Sequence, residues 1–277
     1  MTQHALNNLL NQNATNFDDL DNATVESFDP AASPLATPKA AAIPQALYLT
    51  EPGEATAIDV YDINQGQLGD CFLLSSIGEI ALLKPTFIAS MIHANSNGTE
   101  TVTLYKAANG ALPGFNTTSF KATTATVTNV FPSNSVDNGA TQDVVNGVKE
   151  IWPQVLENAV AQLDGGYSAI ANGGNPVIAM EELTGHAATY MSPSALTLAA
   201  LLGFSNAGDL IVMDTASRSS LPNSLVGNHA YMFDGVTGSG SSAAVKLLNP
   251  WGNDEPTPIL MSQLSKSIVE VDIGHLS

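Results

Sequence analysis

The stretch QGQLGDCFLLSSIGEIALL, residues 65–83, decides the fold. Up to Asp70 it is turn-forming, because Gly66 and Gly69 let the backbone double back. From Cys71 it becomes apolar, with Phe72, Leu73, Ile77, Ile80 and Ala81 near helical spacing and Asp70 where an N-cap belongs. This pattern predicts a buried helix that opens at Cys71. A helix N-terminus carries partial positive charge and free backbone N–H groups, and both favour a thiolate. Cys71 is the sole cysteine, so no internal disulfide can form and the thiol has to be judged by its neighbours. A lone cysteine before an apolar run is more often an inert core residue.

Downstream, TVTLYKA (101–107) and TATVTNVF (124–131) alternate apolar and polar residues and predict two strands joined by a Gly/Pro/Asn loop around Pro113. Trp152, Val155, Leu156, Ala159, Val160 and Leu163 mark one face of an amphipathic helix that tolerates Pro153 in its first turn and ends at Gly165. The glycine-punctuated segment 165–185 reads as a packed loop. It lacks the Lys-Ser/Thr ending of a phosphate cradle, so a nucleotide site is not expected. DLIVMDTA (209–216), HAYMFDGVTG (229–238), AAVKLLNPWG (243–252) and SIVEVDI (267–273) read as successive strands. A helix-rich first part followed by an antiparallel second part gives an α+β fold, with a cleft expected where the two meet.

The chain has 277 residues, 44% of them hydrophobic, which suffices for a packed core. Eight Lys plus Arg against 26 Asp plus Glu leave a net charge of −18, which repels nucleic-acid phosphates and anionic membrane surfaces and sets those partners aside. No run of eighteen or more apolar residues occurs, so membrane insertion is not expected, and MTQHALNNLLNQN has neither the basic nor the apolar region of a signal peptide. Residues 1–45, rich in Asn, Asp, Ala, Pro and Thr, read as a flexible leader or a propeptide.

A catalytic thiol needs a base. His229 opens a strand-like run after Gly227 and Asn228. Twenty residues on, Asn249 ends the next predicted strand, and a hairpin would return it beside His229. Its side-chain carbonyl could accept from one imidazole nitrogen while the other faces Cys71, which suits a thiolate–imidazolium pair prepared before substrate arrives. Pro250 stiffens the strand end, and Trp251 is placed to cover the His229–Asn249 contact. Gln65, six residues before Cys71, offers a neutral amide donor that, with the backbone N–H of Cys71, could stabilise an oxyanion.

These residues carry a family resemblance. QGQLGDCFLL resembles the nucleophile motif of calpains, GNHAYMFDGV their histidine motif and LLNPWG their asparagine motif. WPQVLENAVAQLDGGYSAIANGG followed by AMEELTG is similar to the calpain stretch in which a tryptophan-led helix precedes a Gly-Gly loop, so the resemblance covers about Asp59 to Ile273. It implies a papain-like two-lobed fold, a helix-rich Cys lobe over about 46–190 and an antiparallel β His/Asn lobe over about 191–277. It also implies a cysteine endopeptidase acting on protein or peptide substrates, with catalytic Cys71, His229, Asn249 and Gln65 and supporting Trp251. Phe72 stands where the family has tryptophan. Calcium is implied through an aspartate that Asp62 matches and an acid in the Gly-Tyr motif, but that second position is Ser168. With one carboxylate lost, no cofactor is expected to be required, no metal ligands are assigned, and calcium dependence should be weak or absent. The alternatives are a non-catalytic peptide-binding scaffold, or an acyl transferase using the same triad.

Overall fold

The helix expected at Cys71 forms as α1 (Cys71–Leu83), and every residue from Phe72 to Ala81 is buried. The computed structural model describes residues 43–108, 119–137 and 144–276; residues 1–42 of the leader and the loop around Pro113 lie outside them. α1 stops at Lys84 because the residue before a proline is driven out of helical geometry, and Pro85 then opens α2 (Pro85–Met91). The expected side-chain cap is absent. Asp70 receives the Leu73 and Leu74 N–H groups on its backbone carbonyl at 2.9 and 3.0 Å, and its carboxylate turns instead to Gln65.

β1 (Gln45–Ala46) precedes the loop that leads to Cys71. After α2 comes an antiparallel meander of β2 (Ile92–Ala94), β3 (Thr99–Ala107) and β4 (Phe120–Thr128). β4 starts and ends earlier than its alternation predicts, because β3 pairs with it from Thr99↔Thr128 to Ala107↔Phe120 and has no further residues to offer. β5 (Val144–Val145) and β6 (Val148–Glu150) form a hairpin whose second strand pairs in parallel with β1. α3 (Trp152–Asp164) ends at Gly165, whose φ of 100° suits glycine.

The segment 165–185 is not the loop its glycines predict. It holds α4 (Tyr167–Ile170) and α5 (Pro176–Thr184). Asn175 caps α5 by accepting the Val177 N–H at 2.8 Å, Pro176 occupies the first turn, and Gly185 closes the helix in the left-handed region. Every residue of α5 is buried, so tertiary packing outweighs the local breaker signal.

α6 (Leu198–Ala207), capped by Thr197, lies among the strands of the second lobe. Those are β7 (Thr189–Met191), β8 (Leu210–Thr215), β9 (Ala230–Thr237), β10 (Ala244–Leu248), β11 (Ile259–Leu260) and β12 (Ile268–Gly274). They form one antiparallel sheet in the order β11-β10-β9-β8-β12-β7. On one face Ile211, Met213, Tyr231, Val245 and Val271 make a core of their own. On the other, Leu210, Val212 and Ala230 join the core formed by α1, α2, α3, β3 and β4. The architecture is the expected α+β, two-lobed one, with α1 set against the inner face of the large sheet. Among the described residues no single helix is long and apolar enough to cross a membrane.

Candidate active site

The loop before Cys71 is tied down through its backbone. Asn64 N–H donates to Asp137 Oδ1 at 2.7 Å, Gln67 N–H to the Asn134 carbonyl at 3.0 Å and Gly69 N–H to the Ala171 carbonyl at 2.8 Å. Gln65 N–H reaches the Pro250 carbonyl of the second lobe at 2.8 Å, so this loop touches the NPWG turn directly. Gly66 is required by proximity: a Cβ there would sit 2.2 Å from the Ser135 carbonyl oxygen.

His229, Asn249 and Trp251 come together as their spacing predicts. His229 Nε2–H donates to Asn249 Oδ1 at 2.9 Å in a buried contact, which leaves Nδ1 as the nitrogen free to take a proton. Asn249 Oδ1 also accepts the Trp251 N–H at 3.2 Å, while its own N–H donates to Glu255 at 2.7 Å. The Trp251 ring lies 4.9 Å from the imidazole, tilted by 50°, and Tyr231 meets it edge-on at 4.8 Å. Thr215, at the end of β8, accepts the His229 N–H on its hydroxyl at 2.9 Å. Backbone and ring are therefore both held.

Cys71 is brought to the residue next to the histidine. The Ala230 backbone acts on its thiol, and Ser75, one turn along α1, donates its hydroxyl to the Ala230 carbonyl at 3.0 Å. One turn further, buried Glu79 accepts the Phe233 N–H at 2.6 Å and the Ile211 N–H at 3.0 Å, which fastens α1 to β9 and β8 at once. Among the described residues, Cys71 and His229 share no hydrogen bond. Burial pushes the thiol up to about 12, the Ala230 N–H opposes this, and the charges of Asp214 and Asp70 add to it. Burial also lowers His229, with the Asn249 bond acting against that. Desolvation disfavours both charged forms, which acts against the prepared thiolate–imidazolium pair expected from the sequence.

Gln65 spends its amide donors inside the loop, on the Leu68 carbonyl at 2.7 Å and on Asp70 Oδ1 at 3.2 Å. Fully buried Asp70 faces Glu157 of α3, whose carboxyl burial and the charge of Asp70 push up to about 9. The Asp62 carboxylate accepts twice on Oδ2, from Asp59 N–H at 2.7 Å and Trp152 Nε1–H at 2.9 Å. Ser168 is exposed. Glu51 and Glu54, which sequence reasoning missed, place carboxylate oxygens within 4.8 Å of Asp62's, so these three could hold a hard cation without an acid at 168. The other missed residues are Ser75, Glu79 and Glu157. A carboxylate between Ile77 and Ile80 on a buried helix was the available signal for Glu79.

A family model described as "Calpain family cysteine protease" matches residues 51–258. The chain is similar to calpain clp-4 of Caenorhabditis elegans, 27% identical over 221 residues that cover 70% of this chain and 28% of that protein. Calpain clp-1 of the same organism is 27% identical over 208 residues, 70% of this chain and 25% of the relative. Calpain-13 of Rattus norvegicus is 33% identical over 125 residues, 39% and 18% respectively. The chain therefore spans less than a third of the length of these relatives.

Proposed function

Because the chain belongs to the calpain family of cysteine proteases, we propose that it hydrolyses internal peptide bonds of protein substrates through Cys71, His229 and Asn249. The observation that carries this reading is the buried 2.9 Å His229–Asn249 bond, with the helix that opens at Cys71 fastened through Ser75 to the carbonyl of the very next residue, Ala230. His229 Nδ1 takes the thiol proton as the substrate carbonyl arrives, and the sulfur attacks the carbonyl carbon. The imidazolium then returns that proton to the leaving amine, and a thioester remains. Water, deprotonated by the same imidazole, attacks the thioester and releases the acid and the thiol. Burial of both groups suits this order, since it disfavours separated charge until a substrate can use it.

The oxyanion is stabilised by N–H groups at the start of α1 and by Gln65, whose Nε2 first leaves Asp70 or Leu68. Asp70 protonation loosens one of these bonds. Proteolysis on this reading requires no cofactor. A calcium ion held by Glu51, Glu54 and Asp62 would supply a structural cross-link between the loop before Asp59 and the Asp62–Trp152 contact, so its effect on rate is modest.

The test is digestion of unfolded casein by the purified chain and by Cys71→Ala, with and without millimolar calcium, with fragments read by mass spectrometry. Cleavage by the unaltered chain alone is expected. Equal cleavage by Cys71→Ala, or none by a folded unaltered chain under either condition, overturns the reading.

A further inference from the structure

Three carboxylates outside the proposed catalytic set converge on the inner face of the large sheet. Asp214 on β8 and Glu270 on β12 are paired directly across the strands, and Asp272, two residues on, points to the same face. Their ligand oxygens all lie within 4.8 Å of one another. Asp272 is fully buried, at 0% exposure, and neither of its oxygens has a hydrogen-bond partner, whereas Asp214 and Glu270 are partly open to solvent. Neither ion pair among the described residues involves them.

Two other buried acid groups in this chain show the ordinary solution. Asp70 with Glu157, and Asp164 with Glu182, are pairs in which burial and the charge of the first carboxyl raise the second toward its neutral form. A trio is different: buried Asp272 has no donor for either oxygen, and Asp214 and Glu270 bring it only further negative charge. A buried charge without a partner is too costly to keep unless something neutralises it.

We propose that Asp214, Glu270 and Asp272 form a binding site for a hard divalent cation of calcium size, clamping β8 to β12 beneath the Cys lobe. An all-oxygen, all-carboxylate set selects hard cations over zinc or copper. The spread of the oxygens matches a shell of radius about 2.3–2.6 Å, and the open side at Asp214 and Glu270 leaves room for water ligands. The site is separate from Glu51, Glu54 and Asp62, and its existence does not depend on proteolysis. Its position gives it a reach beyond structure. Asp214 is one of the charges acting on the Cys71 thiol, and an ion here cancels that field.

The test is calorimetric titration of calcium into the full chain carrying Asp62→Asn, which removes the first-lobe carboxylate cluster, at about pH 7.5 where ligands are available for metal. One ion per chain is expected, and adding Asp272→Asn should weaken its affinity at least tenfold. Asp272→Asn removes a buried like-charge contact, so the variant should fold, and its melting temperature without calcium serves as the check. No uptake on the Asp62→Asn background, or an affinity unchanged by Asp272→Asn, overturns the site and leaves shared protons as the neutralising device. Crystals of the unaltered chain soaked in manganese provide a measurement free of substitutions. An anomalous peak among the three carboxylates supports the site, and its absence from otherwise ordered density refutes it.

Discussion

Replacing Gly66 by alanine isolates what the close approach of the site loop contributes. The new Cβ would lie 2.2 Å from the Ser135 carbonyl oxygen and 2.4 Å from that of Asn134, both backbone atoms that cannot rotate away. Relief requires the loop to retreat by about 1 Å. That carries Gln67 N–H, now 3.0 Å from the Asn134 carbonyl, out of hydrogen-bond range and strains Gln65 N–H on Pro250 at 2.8 Å. Losing or weakening two such bonds costs about 2–3 kcal/mol, or roughly 5–10 °C of melting temperature in a chain of this size. Gln65 and Cys71 ride on the same loop, so turnover should fall about 100-fold, the scale set by ångström misplacement. Gly203→Ala is the control: nothing lies within 4 Å of its Cβ, and in the middle of α6 the change should stabilise by about 0.5–1 kcal/mol. Urea denaturation and casein turnover measure both effects. If Gly66→Ala matches the unaltered chain within about 0.5 kcal/mol, the proximity argument is wrong.

Three further outcomes are expected. Asn249→Ala strips the acceptor from His229 Nε2–H and Trp251 N–H, and should lower kcat by roughly 100- to 10,000-fold while the fold survives; a kcat within a few fold of the original would contradict the orienting role. Burial pushes Asp62 up to about 7 and Glu79 up to about 8. Both lie above their unfolded values, so the folded state binds more protons in between and stability, full below the unfolded values, is lost as pH rises through the folded ones. Melting should therefore be lower at about pH 8.5 than at about pH 5.5 in chelator, and the reverse order would show that these carboxyls do not dominate. With its thiol pushed up to about 12, Cys71 should react with iodoacetamide more slowly than a free thiol of pKa about 8.5; a rate at or above that of free cysteine would mean the thiolate is already formed.

What could be read from the sequence was what repeats along the chain or is carried by backbone type. The buried helix at Cys71, the amphipathic helix at Trp152 and the antiparallel strands of the second lobe follow from apolar spacing, and the His229–Asn249 contact follows from hairpin return. Segment 165–185 misled because its glycines mask a helix whose start, Asn175-Pro176, is a capping signal in its own right. Segment 186–208 yielded no elements, although Thr197 caps α6 and β7 pairs with β12, because three-residue strands carry too little periodicity. The charge state of Cys71 was unreadable because desolvation depends on what packs around the thiol, not on its neighbours in sequence. Glu79 looked like one polar residue in an apolar helix, and only the tertiary arrangement shows two strand N–H groups waiting for it.

That last contact has a mechanical consequence. Glu79 and Ser75 bind the nucleophile's helix to the strand that follows the imidazole, so the two halves of the machinery travel as a single stiff block although they come from opposite lobes. Swinging the lobes apart would strand a carboxylate and two amide hydrogens without partners in a dry interior. The inexpensive motion is a local one, the Gln65 amide leaving the Leu68 carbonyl or Asp70 while the backbone of its loop stays bonded.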